Sequence, residues 1–230
     1  MRIYSYAGEQ FWYPARTTTG KKLFEQDASE NSTLIPDYTA IDLEMSGIND
    51  DQDHILQIGA VRFRNWTPQQ TFMSYIHYTQ QLSPQIQHLL QLQPQQLLQA
   101  PTLAVVLPQF YQFIQQDVLV GHHIATDLFF ILHAAQHYHL PPRHYYYLDT
   151  LYLAQRFLKT TTPLANFKLE TLKNFFHLPF VSHDALADAL SSGIILKLLQ
   201  QNNLTKTLPA KHPVEAQIQV EKIPQVTIKT

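Results

Sequence analysis

The 230-residue chain has no cysteine, which excludes disulfides and thiolate metal sites. It has no run of 18 apolar residues, so nothing in it reads as a membrane-spanning helix, and no membrane association is expected. Its opening, "MRIYSYAGEQFWYPAR", lacks the apolar stretch of a secretory signal, and a cytoplasmic setting is the expectation. A basic excess is missing too: 16 Lys plus Arg stand against 18 Asp plus Glu, for a net charge of −2. Proteins that grip nucleic acid through counterion release usually carry such an excess. Any polyanion must here be met by a local patch or by metal ions.

Glutamine is abundant instead, as in "TQQLSPQIQHLLQLQPQQLLQ" (79–99), where leucines recur at helical spacing and glutamine serves as polar helix surface. The length suits one domain with a sizeable core. Residues 1–36 show no sustained period and read as an irregular arm. Residues 37–200 read as the folded domain, and 201–230, rich in Lys, Pro and Gln, as a loosely held tail. Strand-like runs occupy 38–45, 54–64 and 70–78, with turns expected at 47–53 and 65–69. Ser83-Pro84 reads as a helix start. A helix over 101–116 places Leu103, Leu107, Phe110 and Ile114 on one face, and "DVLVG" (117–121) is a short apolar strand of the doubly buried kind. A helix over 125–138 turns Leu128, Ile131, Leu132 and Ala135 inward. A strand at 145–150 and helices at 151–158, 167–176 and 184–200 complete the pattern, the last with Ala187, Leu190, Ile194 and Leu198 as its core stripe. Strands first, then strands alternating with helices, predict an α/β protein with a mixed five-stranded sheet flanked by helices.

The acidic residues carry the chemistry. In a strand, residues two apart share a face, so Asp42 and Glu44 of "YTAIDLEMSG" project side by side while Leu43 turns away. Like charges so placed repel unless a cation lies between them or one is protonated; a strand end whose acids face water would be spelled the same way. In "LVGHHIATDLFF" the strand stops at Gly121 and Asp127 falls in the first turn of the next helix, where the helix dipole favours an acid in any case. If strands 38–45 and 117–121 are neighbours, Asp127 lies on the same rim as Asp42 and Glu44, in the crevice where open α/β sheets bind ligands. In "SHDALADAL" (182–190), Asp184 suits a helix cap. Asp188 lies one turn on, among Ala185, Ala189 and Ser192, and His183 precedes the helix, free to swing over a cleft.

Asp-x-Glu on a first strand, Asp after a Gly-ended strand and His-x-Ala-x-x-Asp-Ala on a late helix occur together, in that order. The arrangement resembles the DEDDh branch of the DnaQ-like 3′→5′ exonucleases, which have a ribonuclease H-like fold, and most of all the epsilon-type proofreading exonucleases of bacterial DNA polymerase III. It spans roughly residues 38–200 and includes "HILQIGAVRF", "LLQAPTL", "YLDTLYLA" and "KLETLKNFFHL". The resemblance implies that Asp42 bridges two divalent ions, that Glu44 and Asp188 complete the shell of the first, and that Asp127 orients water ligands. His183 would be the general base that takes a proton from the attacking water. Carboxylate oxygens suit hard Mg²⁺ or Mn²⁺, and two such ions ~3.5–4 Å apart stabilise both the entering and the leaving oxygen of a phosphoryl displacement. An imidazole, with an ordinary pKa near ~6.5, suits base work near neutral pH.

The implied partner is nucleic acid, a single-stranded or frayed DNA 3′ end before RNA, with release of nucleoside 5′-monophosphates; association with a DNA polymerase is a family-level expectation. An RNA or oligoribonucleotide exonuclease uses the same site, and a non-catalytic binding module is the reading of another class. Substrate contacts are expected from the backbone of Met45-Ser46-Gly47, from His122 and His123, and from Lys168 on the helix after "TTPLANF". Lys173 reads either as a second backbone contact or as a solvated lysine, Asp149 as a structural acid, and "FWYPAR" (11–16) as packing against the domain. Where the family more often has asparagine and phenylalanine, this chain has His123 and Thr126.

Overall fold

The computed structural model describes residues 2–7, 10–11, 34–48, 53–141, 144–160, 162–205 and 224–225. Among these, strands β1 (Arg2–Ala7), β2 (Gln10–Phe11), β3 (Tyr38–Met45), β4 (Ile55–Arg64) and β5 (Thr67–Tyr75) come first. Helices α1 (Pro84–Leu90), α2 (Pro94–Leu98) and α3 (Leu103–Ile114) follow, then β6 (Leu119–Gly121), α4 (Ala125–His137), β7 (His144–Asp149), α5 (Thr150–Leu158), α6 (Leu169–Phe175) and α7 (Ala185–Thr205).

The sheet order is β2-β1-β7-β6-β3-β4-β5. β3, β4 and β5 form an antiparallel meander, while β6 pairs parallel with both β3 and β7. These are the five expected strands with the expected mixture of directions. The arm departs from the irregular structure expected of it: β1 pairs antiparallel with β7, and β2 with β1, so two further strands lengthen the sheet. Trp12–Arg16, and with them most of "FWYPAR", lie outside the described residues.

β5 begins at Thr67, three residues before the expected start at 70. The turn needs only Asn65 and Trp66, both with positive φ (48° and 64°), the signature of a two-residue hairpin loop, so Thr67 is already paired with Arg64. At the other end, α7 runs to Thr205, and the expected tail therefore starts inside a helix. Ser83 caps α1 as expected, its side chain accepting from the Ile86 amide at 3.3 Å.

The side-chain alternation of β3 divides the interior. Ile41 and Leu43 face a core built with α3 and α4, through Leu107, Phe110, Leu128 and Ile131. Tyr38 and Ala40 face a second core built with α5, α6 and α7. Asp42 and Glu44 continue the Tyr38–Ala40 row, so the strand period aims both acids at α7. The expected stripe on α7 holds at Leu190 and Ile194 but not at Ala187 and Leu198, which are half-buried; Ala185, Ala189, Ile195, Leu196 and Leu199 are buried instead, because sheet and neighbouring helices enclose the helix on several sides.

Two glycines set how close α7 comes. A Cβ on Gly59 would lie 2.2 Å from the Ala185 carbonyl carbon, and one on Gly193 would lie 2.3 Å from the Phe63 ring. The Tyr38 hydroxyl, next to that second contact, donates to the Gly193 carbonyl at 2.8 Å. In the register of the β3–β4 pair, Gly59 faces Asp42 and Gln57 faces Glu44. The missing side chain at Gly59 thus lets the start of α7 settle onto the sheet beside the two acids.

Candidate metal centre

The acids converge from three directions. β3 brings Asp42 and Glu44. α4 begins just beyond the end of β6, the parallel neighbour of β3, and its first turn places Asp127 where the Leu43 amide donates to Oδ1 at 3.1 Å. That bond ties Asp127 to the residue between the two strand acids. α7 brings Asp188 over the same rim. Its start is fixed by Asp184, which accepts from the Ala187 amide at 2.9 Å as a helix cap and from Gln57 Nε2 at 3.2 Å. Gln57 Oε1 in turn accepts from the Ala185 amide at 3.3 Å.

Glu44, His183 and Asp188 each offer one ligand atom, and these atoms all lie within 4.8 Å of one another. Both carboxylates are buried, whereas the imidazole is exposed. His183 has a positive φ of 63°, a conformation that favours few non-glycine residues, and its amide donates to Asp188 Oδ2 at 2.9 Å. Histidine is thus locked by its backbone at the mouth of the acid cluster. Asp42 and Asp127 are not in this close trio, yet their charges are felt across it.

Burial pushes the Asp42 carboxyl well above the carboxylate range, and repulsion from Asp127, Glu44 and Asp188 adds to the rise. Glu44 is pushed up to about 8 by burial, then by Asp188, Asp127 and Asp184. Asp127 also rises to about 8 through burial, against the pull of the Leu43 hydrogen bond. Four acids held together at this cost fit a divalent cation, since carboxylate and imidazole donors on one point are what a hard or borderline ion takes.

The residues expected to touch substrate fare unevenly. The Ser46 amide is spent on the His54 carbonyl at 2.9 Å, and its hydroxyl donates to Asp53 at 2.8 Å. Of the Met45–Gly47 turn, Ser46 therefore has no free backbone donor. Gly47 serves that turn, because a Cβ there would lie 2.4 Å from the Asp53 carboxylate. His122 is bonded to the Thr150 hydroxyl at 3.0 Å, and burial lowers its pKa to about 4, so it presents no positive charge to a phosphate near neutral pH. His123 and Lys168 are exposed and, with Leu151, Phe167 and Leu169, line an open hollow of about 340 Å³. Asp149 is structural, accepting from the amides of His123 at 3.0 Å and Leu151 at 2.9 Å.

Lys173 departs from both of its expected readings. It is 3% exposed, and its Nζ lies 2.8 Å from Asp188 Oδ1. Its spacing carried the signal: Lys173 is four residues after Leu169 and three before Phe176, on the face of α6 that faces inward. Gln57 was also missed, and only its pairing with Glu44 across the β3–β4 ladder brings it to notice.

An exonuclease family model matches residues 39–196. The chain is 30% identical over 199 residues to the PolC-type DNA polymerase III of Caldanaerobacter subterraneus subsp. tengcongensis, a stretch covering 84% of this chain but 14% of that protein. It is 28% identical over 166 residues to the DNA polymerase III subunit epsilon of Aquifex aeolicus, covering 71% of this chain and 81% of the subunit. In fold it is similar to E. coli exonuclease I, solved in complex with an oligonucleotide, with a TM-score of 0.64 at 16% identity, over 75% of this chain and 42% of that one. The family match covers most of the chain and contains all five acid and imidazole positions; the chain belongs to the exonuclease family, in the DnaQ-like group that its motifs resemble.

Proposed function

We propose that the protein is a metal-dependent 3′→5′ exonuclease that hydrolyses the terminal phosphodiester of a DNA strand, single-stranded or frayed, and releases a nucleoside 5′-monophosphate. The observation that carries this reading is the approach of Glu44, His183 and Asp188 ligand atoms to within 4.8 Å of one another, from a strand, a loop and a helix. Bound Mg²⁺ or Mn²⁺ would supply Lewis acidity and lower the cost of deprotonating water. Asp42, Glu44 and Asp188 would hold it, and Asp127 would restrain the water around it while buttressing β3 through the Leu43 amide. His183, exposed at the mouth and with its backbone amide donating a hydrogen bond to Asp188, would accept the proton of the attacking water.

DNA is favoured over RNA because the two sequence relatives are, by name, DNA polymerase III proteins. The same relatives support association with a replicative polymerase, and residues 37–200 would carry the catalytic groups, with β1 and β2 of the arm extending their sheet. The test is an end-labelled single-stranded DNA assay with Mg²⁺, Mn²⁺ or EDTA, run beside Asp42→Ala and a matched RNA oligonucleotide. Stepwise release of mononucleotides from the 3′ end is expected with either metal, abolished by EDTA and by Asp42→Ala. Faster loss of the RNA would replace the DNA assignment, and no metal-dependent product from either polymer would leave a binding module.

A further inference from the structure

Lys173 Nζ has three N–H bonds and directs them to three acceptors: Asp188 Oδ1 at 2.8 Å, the Val181 carbonyl at 2.8 Å and Ser182 Oγ at 3.1 Å. One side chain on α6 thus ties down both α7 and the loop that leads into His183. The face of α6 around it is otherwise apolar, with Leu169, Leu172 and Phe176, so packing alone needs no charge at this position. Burying an ammonium costs several kcal/mol of lost hydration unless its partners are good. Its charge also reaches Asp42, where it is the opposing influence to three acids.

We infer that Lys173 is a resident counter-cation of the acid cluster, a positioning residue that holds Asp188 in place before a divalent ion arrives and weakens the hold on that ion afterwards. This rests on the metal-centre reading above. Asp188 has two oxygens: Oδ1 faces the ammonium and Oδ2 the His183 amide, so its direction is set without metal. An arriving ion must then share that carboxylate with a fixed positive charge a few ångströms away, and like charges at such range in a buried site repel strongly. The protein gains an assembled site and gives up some metal affinity.

The experiment compares wild type with Lys173→Met, Lys173→Gln and Lys173→Arg, by Mn²⁺ binding followed by electron paramagnetic resonance and by thermal melting in EDTA and in saturating Mn²⁺. Lys173→Met is expected to melt lower than wild type in EDTA and to bind Mn²⁺ on the order of tenfold more tightly. Its gain in Tm on adding Mn²⁺ should exceed that of wild type, because the ion replaces the lost cation. Lys173→Gln, which keeps two donors and loses the charge, should show the same tightening even if the methionine variant does not fold. Lys173→Arg, which keeps the charge, should stay near the wild-type affinity. Equal Mn²⁺ affinity and equal Tm gain in wild type and the neutral variants would overturn the role of the lysine while leaving the metal centre intact. Failure of the wild type itself to bind Mn²⁺ would instead overturn the metal centre and this inference together.

Discussion

The parallel pair β3–β6 has charged groups at both of its ends, and they are managed in opposite ways. At the end where these strands begin, Asp117 accepts from the Thr39 hydroxyl at 2.5 Å and from Arg64 at 2.9 Å on each oxygen, with Arg62 Nε at 3.6 Å. Arg62 also donates to Gln70 and to the Phe113 carbonyl. One acid there meets two guanidinium groups. At the end where the strands finish, Asp42, Glu44, Asp127 and Asp188 face one ammonium, that of Lys173. At the Asp117 end each carboxylate oxygen has a cationic partner, and the cluster holds the fold together; a surplus of acids stores repulsion that a ligand can relieve. The imbalance, more than the number of acids, marks the functional end.

Neutralising one acid at each end should separate the two roles. Glu44→Gln is expected to lower nuclease turnover on the order of 10³-fold, since it removes a charge aimed at the reacting centre. The same change should leave the metal-free protein as stable as wild type or more so near pH 8, because Asp188 and Asp127 lose a repelling neighbour. Asp117→Asn should do the reverse, costing about 2–3 kcal/mol of stability by stranding two guanidinium groups, with turnover within a few-fold of wild type. Urea unfolding in EDTA beside a nuclease assay at saturating Mg²⁺ measures both. A stabilising Asp117→Asn, or a destabilising Glu44→Gln, would break the distinction between the ends.

The pH dependence follows from the same imbalance. Glu44 and Asp127 have folded-state values of about 8, far above the ~4 of the unfolded chain. Between those limits the folded protein holds protons that the unfolded chain has released, so the metal-free protein loses stability as pH rises through that window, the loss being complete above about 8. Melting in EDTA should therefore fall from pH 5 to 8.5, and excess Mg²⁺ should flatten the decline, since the ion favours the charged carboxylates. A Tm that rises with pH in EDTA would contradict the crowding of these acids.

Much of this end of the molecule was legible in the sequence because local period fixes it. The strand period put Asp42 and Glu44 on one face, the Gly-ended strand put Asp127 at a rim, and "SHDALADAL" put Asp188 one turn after Asp184, with His183 just ahead of the helix. What stayed hidden depends on contacts between distant segments. Gln57 gains its meaning from the β3–β4 register and from the start of α7, 127 residues away. Lys173 looked like a surface lysine because residue type outweighed its position on the inward face of α6. His122 looked like a phosphate ligand because nothing local reveals the Thr150 hydroxyl that claims it. The pairing of β1 with β7 joins segments about 140 residues apart, beyond the reach of any periodicity.

The third expectation concerns the hollow lined by His123, Phe167 and Lys168 and is the smallest. Phe167, Leu151 and Leu169 give it apolar walls, Lys168 stands exposed at its edge, and His122 is kept neutral by burial. Such a surface binds by stacking more than by charge, which agrees with a chain whose net charge is −2. Stacking of a base on an aromatic ring contributes ~1–3 kcal/mol, so Phe167→Ala should raise KM for single-stranded DNA by about tenfold while kcat changes little. Lys168→Ala should raise KM only about two- to threefold, and that smaller effect should fade as salt is increased. If Lys168→Ala proved the more damaging of the two, the strand would be held by its phosphates, and the acid cluster would have to draw in its substrate against its own charge.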